Sequence, residues 1–149
     1  MLCVASVATI IEYNMEIPKG NSREDTKTRR EILKNFFVDW ISKNPDKRVW
    51  NRSLNAYIYV KYDSINEILG HAPRSIAATQ AQIHLSDILS DAILFDKRPP
   101  KHGDKNQKKF SKILLLRWGN SRVLIGQRKT TGDYELYYIS GGQIKKAVR

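Results

Sequence analysis

The sequence predicts a single α+β domain, 1–149, with helices first and an antiparallel sheet last. Apolar residues at three- and four-residue spacing run from Ile32 to Ile41 and again from Ala77 to Ala92, the period of helices with one buried face. Three strand-like runs, 111–118, 122–129 and 134–140, then follow with short turn-forming links, as in an antiparallel meander. With 41% hydrophobic and 28% charged residues in 149, the chain has the composition and length of one ordinary globular domain.

Each element has a local reason. The apolar start, 1–11, is too short to span a bilayer and lacks the basic flank of a secretory signal; it predicts a strand or short helix packed on the body of a soluble, cytoplasmic protein. The loop 18–22 leads to Ser22 or Asp25, either of which can cap a helix over 22–44. Its buried stripe is Ile32, Leu33, Phe36, Phe37, Trp40 and Ile41, with Arg29, Arg30, Lys34 and Asp39 largely off it. Residues 49–60 are rich in β-branched and aromatic side chains and predict a short strand over 56–61. Ser64 and Glu67 have the spacing of a capping box, and Gly70 that of a helix stop. Pro73 opens a helix over 74–94 that ends at Pro99-Pro100. Residues 97–109 form a basic loop with no apolar residue but proline, the meander spans 111–140, and 141–149 is a flexible basic tail.

Charge is distributed unevenly. Residues 1–96 carry 12 basic and 12 acidic side chains, whereas residues 97–149 carry 14 and 3, which is the whole net +11. A regional excess of this kind fits a surface that meets phosphates. The contact set is Arg52, Lys97, Arg98, Lys105, Lys108, Lys109, Arg117, Arg122 and Arg128, with RNA or another single-stranded nucleic acid as partner. The single Cys3 permits no intramolecular disulfide, and with His71, His84 and His102 dispersed no zinc site is expected.

Glycine-rich phosphate loops, paired-cysteine motifs and nucleophile elbows are missing, and acidic residues in the basic region are too few for a two-metal site. Metal-free RNA cleavage needs only a base, an acid and fixed cations. His71 suits the proton transfers, because it sits in a predicted turn ahead of a helix N-terminus with Arg74 and Ser75 beside it. His84 falls next to an apolar stripe and reads as structural, and His102 as a solvated contact. On the last strand, Tyr134, Tyr138 and Ser140 share one face by period two, and Glu135, Tyr137 and Ile139 the other. Tyrosines exposed there can stack on bases.

The run Val49-Trp50-Asn51-Arg52-Ser53-Leu54, then Ser64-Ile65-Asn66-Glu67, His71-Ala72-Pro73-Arg74-Ser75, Lys97-Arg98-Pro99-Pro100-Lys101 and Glu135-Leu136-Tyr137-Tyr138-Ile139-Ser140 together resemble small domains of the barnase–EndoU–colicin–RelE (BECR) nuclease superfamily. The branch they resemble is attached to large polyvalent proteins of phages and other mobile elements, and the resemblance covers about residues 25–140. It implies N-terminal helices followed by a four-stranded antiparallel sheet, so the expected sheet has three to four strands. It also implies a toxin-like, metal-independent ribonuclease without a cofactor, acting on transfer or messenger RNA through a 2′,3′-cyclic phosphate. Carried over by position, it assigns His71 as base or acid, Arg74 and Lys101 as phosphate holders and Ser140 as a donor, with Tyr138 in the same site. Two alternatives stand beside it: a catalytically silent nucleic-acid-binding domain, and an interaction domain whose basic face meets an acidic inhibitor protein.

Overall fold

The structure, a computed structural model, describes residues 16–141. The apolar start and the basic tail beyond Gly141 lie outside the described residues. Those that are described form an α+β unit of four α-helices and a mixed six-stranded open sheet. No helix among them is long and apolar enough to cross a membrane.

Helix α1 (Arg23–Lys43) begins at Ser22, whose hydroxyl accepts from the Asp25 amide at 3.0 Å, with Glu24 and Asp25 in its first turn. Of the two caps the sequence offers, Ser22 is the one used, and the carboxylates favour the positive end of the helix dipole. Ile32, Leu33, Phe36, Phe37 and Trp40 are buried as the stripe requires. Arg29 departs from it: it is fully buried and donates to the carbonyls of Pro73, Pro18 and Gly20 at 2.7, 2.9 and 2.8 Å.

A hairpin not anticipated in full follows, β1 (Arg48–Asn51) and β2 (Ala56–Tyr59). Helix α2 (Tyr62–His71) then starts two residues before the expected capping box. Ser64 is buried inside it, donating its hydroxyl to Leu136 O instead of capping, so a tertiary bond displaces the local one. Gly70 lies within the helix rather than stopping it, and His71 is its last residue, not a turn residue. Pro73 ends the α-helical pattern in a 3₁₀ turn, Ala72–Arg74, because it has no N–H to donate to Leu69 O. Arg30 Nε fills that acceptor at 3.1 Å.

The single helix expected over 74–94 is three elements: α3 (Ile76–Gln82), capped by Ser75, then α4 (Leu85–Asp91), then strand β3 (Ile93–Arg98). The break at Ile83–His84 lets Ile83 turn inward, to 1% exposure, while Leu85, Ile88 and Leu89 stay buried. Gln82 anchors α3 to the sheet by donating to Ile139 O at 2.7 Å. Lys97 and Arg98 therefore belong to an edge strand, and the loop proper is 99–109.

Strands β4 (Phe110–Trp118), β5 (Ser121–Arg128) and β6 (Tyr134–Ser140) form the expected meander, turned by Gly119 and Gly132 at φ +56° and +78°. The sheet order is β1-β2-β6-β5-β4-β3, with β2 parallel to β6 and every other pair antiparallel. The expected three to four antiparallel strands are thus extended at both edges, and strands alternate with helices instead of following them. The main core lies between the helices and one sheet face and includes Leu33, Phe37, Ile68, Leu89, Leu116 and Ile125. A second, smaller core of Phe110, Ile113 and Leu115, with Leu124 and Tyr137, lies on the other face.

Candidate functional site

The end of α2 places His71 against the last strand. Its Nε2 lies 3.3 Å from Glu67 Oε2, one helical turn back, and its ring meets Tyr138 edge-on, centroids 6.2 Å apart at 89°. Glu67 also accepts from Asn106 Nδ2 at 3.5 Å, which brings the basic loop to the same carboxylate. Burial, and secondarily the charge of Glu67, raise the Tyr138 pKa above its ordinary value of 10.0, so near neutrality its phenol is a proton donor.

Tyr134 and Tyr138 both pack against the main core, whereas Tyr137 packs in the second. A bulge shifts the register between Leu124↔Tyr138 and Ile125↔Leu136, leaving Tyr137 as the extra residue. Past it, Ile139 pairs with Val123 in the main core, Tyr138 pairs with Leu124 and is partly buried against that same core, and Ser140 pairs with Arg122. Ser140, Arg122, Arg117 and Ile93 are successive cross-strand neighbours on β6, β5, β4 and β3. Two arginines directly opposite each other destabilise a sheet, and neither has a carboxylate partner among the described residues. Arg117 lies over the Phe95 ring at 5.2 Å. His71 thus meets Tyr138, and two residues along β6 Ser140 begins the cross-strand row that carries the two exposed guanidinium groups.

The other expected residues divide. Arg74 is exposed in the turn three residues beyond His71. Lys101 is exposed in the loop, its amide held by Gln107 Oε1 at 2.6 Å, and no bond links it to His71 or Tyr138. Lys97, Lys105 and Lys108 are exposed and have no ion pair among the described residues. Arg52 pairs with Asp91, and Arg98 with Asp96 at 3.4 Å. Arg128 is engaged elsewhere: it clamps the buried Glu135 with two bonds of 2.8 and 2.9 Å, and Lys61 approaches the same carboxylate at 3.4 Å. His84 packs on Trp118, centroids 5.7 Å apart. Glu67, a capping residue in the sequence reading, is the partner that sequence spacing alone left unassigned to the site, although its i,i+4 relation to His71 was readable.

A pocket of about 480 Å³ opens between α2 and the loop, lined by Asp63, Glu67, Lys105, Lys109 and Tyr137 among others. Lys109 Nζ closes one side on Asp63 at 3.0 Å. Its hydrogen bond and charge lower the Asp63 pKa. A carboxyl whose folded pKa is depressed contributes stability above its unfolded value and loses it as pH falls through the folded one. Protection of the 101–109 amides, taken relative to their intrinsic exchange rate at each pH, is therefore expected to hold at neutral pH and to fall on acidification below about pH 4. Asp63→Asn should show the faster exchange already at pH 7; unchanged exchange in that variant refutes the latch.

Among the described residues, no three His, Cys, Asp or Glu side chains converge to hold a metal ion. No family model, curated protein or solved structure matches this chain.

Proposed function

We propose that the protein is a metal-independent endoribonuclease acting on single-stranded RNA. The observation that carries the reading is the contact of His71 with Tyr138, two residues before Ser140 and its cross-strand neighbours Arg122 and Arg117. In this scheme His71 takes the 2′-hydroxyl proton, and Glu67 orients the ring and stabilises the imidazolium that forms. The 2′-oxygen attacks phosphorus, the bond to the 5′-oxygen breaks, and Tyr138 protonates the leaving oxygen. The products are a 2′,3′-cyclic phosphate and a free 5′-hydroxyl, and solvent returns the proton from His71 to Tyr138. Ser140 and the two arginines hold the equatorial oxygens as charge develops on them.

The same reading places the chain with the BECR-like domains of mobile elements. The meander ending in Tyr138 and Ser140 supports that placement, whereas the parallel β2–β6 pair and the extra edge strands depart from it. It carries with it transfer or messenger RNA as substrate, a cytoplasmic site of action and an acidic inhibitor protein over the basic face. The second reading, a silent binding domain, draws on the fact that His71 has Glu67 as its polar partner and no hydrogen bond to Tyr138 or Ser140.

The deciding experiment is incubation of a short RNA and its 2′-deoxy counterpart in excess EDTA. Cyclic-phosphate ends on the RNA alone are expected; an intact RNA gives the silent reading. In either case binding should weaken with salt. Neutralising ~4–6 phosphates of a single strand gives a slope of log K against log salt of about −3 to −4.

A further inference from the structure

The outer face of β1 and β2 carries a compact block of rings and cations outside the candidate site. Strand alternation turns Val49, Asn51 and Ile58 inward, where Asn51 is buried and donates to Leu89 O and Ala92 O at 2.8 and 2.9 Å. The same alternation turns Arg48, Trp50, Tyr57 and Tyr59 outward. The register pairs Trp50 with Tyr57 and Arg48 with Tyr59. Trp50 and Tyr57 meet edge-on at 5.1 Å yet remain 44% and 39% exposed. The Arg48 guanidinium lies 3.9 Å over the Tyr57 ring and donates to Tyr59 Oη at 3.4 Å. Beside them Lys47 Nζ is 5.2 Å from the ring of Tyr62, itself 61% exposed. Among the described residues neither Arg48 nor Lys47 forms an ion pair.

We propose that this block is a stacking platform for the unpaired bases of a single-stranded nucleic acid, with Arg48 and Lys47 meeting its phosphates. Exposed rings on an edge hairpin offer flat faces to any base, and cations at ring level complement the backbone that joins successive bases. A duplex has its bases already stacked and offers the platform nothing but phosphates. The pairing of Tyr59 with Glu135 continues the block onto the sheet face that bears Ser140 and Arg122. The platform shares with the cleavage reading only its class of ligand and does not require that cleavage occur.

The test is fluorescence anisotropy with a labelled oligothymidylate, which lacks the 2′-hydroxyl and cannot be cleaved by the proposed route, and with an abasic oligomer of equal length. Replacing Trp50 and Tyr57 by Ala should weaken oligothymidylate binding by about 10- to 100-fold and abasic binding by less than about two-fold, since only the bases touch the rings. The Trp50→Phe, Tyr57→Phe protein keeps both rings and should bind within a few-fold of the parent. Fluorescence of the parent should be quenched by oligothymidylate, and most of that quenching should vanish in Trp50→Phe, a readout that survives even if the Ala variant fails to fold. Unchanged oligothymidylate binding in a folded Ala variant overturns the platform, as does an equal loss on the abasic oligomer. Equal weakening toward an oligoglutamate gives the face to an acidic protein instead.

Discussion

Cleavage of a short RNA in excess EDTA is expected to fall by on the order of 10²–10⁴ when His71 is replaced by Ala, the usual contribution of a positioned acid–base group. His71 is an exposed residue at a helix end, so its loss should leave folding almost untouched. Tyr138→Phe should cost a comparable factor for a different reason: the ring contact with His71 survives, but the donor to the leaving oxygen is gone. The two variants separate by pH profile. Burial and Glu67 push the Tyr138 phenol above 10.0, so any loss of activity from its deprotonation lies above that value, and Tyr138→Phe should abolish that limb. Glu67→Gln should lower the rate less than His71→Ala, because it keeps the base and removes only the carboxylate that orients its ring. Activity lost in EDTA, or retained in a folded His71→Ala protein, sinks the assignment.

The parts of this site that were legible in the sequence are those governed by local chemistry. Helical spacing gave α1, and glycine turns gave the meander. What escaped was set by partners distant in sequence. Ile93, Leu94 and Phe95 continue an apolar helical stripe, yet they form an edge strand because β4 offers them a ladder. The parallel β2–β6 pair brings together residues 58 and 134, and no local pattern announces such a pairing. A single bulge in β6 puts Ile139 in the main core while Tyr137 packs in the second, although period two assigns them one face, since one extra residue inverts the alternation. Arg128 counted as a contact cation until Glu135, buried at 1% exposure, appeared beside it.

Arg29 carries the largest expected effect on stability. Its guanidinium is fully buried with no carboxylate partner among the described residues, and it is held by the carbonyls of Pro73, Pro18 and Gly20 and by Thr26 Oγ1 at 3.4 Å. Burying a charge is costly, so the bonds must be nearly complete to be tolerated. Arg29→Met keeps most of the stem and removes every donor, leaving three carbonyls without their partner. At about 1–3 kcal/mol for the buried Pro73 acceptor left unsatisfied, and less for the partly buried ones of Pro18 and Gly20, a loss of about 3 kcal/mol is expected. For a chain of this length that corresponds to a fall in Tm of roughly 6–12 °C. Arg29→Lys should recover little of it, because one ammonium cannot reach Pro73 on one side and Pro18 and Gly20 on the other. Arg30, half-buried with its bond to Leu69 O, is the control, and its replacement by Ala should cost about 1 kcal/mol. The contrast reaches the site as well: Arg29 and Arg30 together pin the stretch 69–73 on which His71 stands. Arg29→Lys, assayed at a temperature where it remains folded, should therefore cleave more slowly than the parent with little change in substrate binding. Urea denaturation of the three variants decides the matter, and a midpoint for Arg29→Met within about 0.5 kcal/mol of the parent would mean that this arginine anchors nothing.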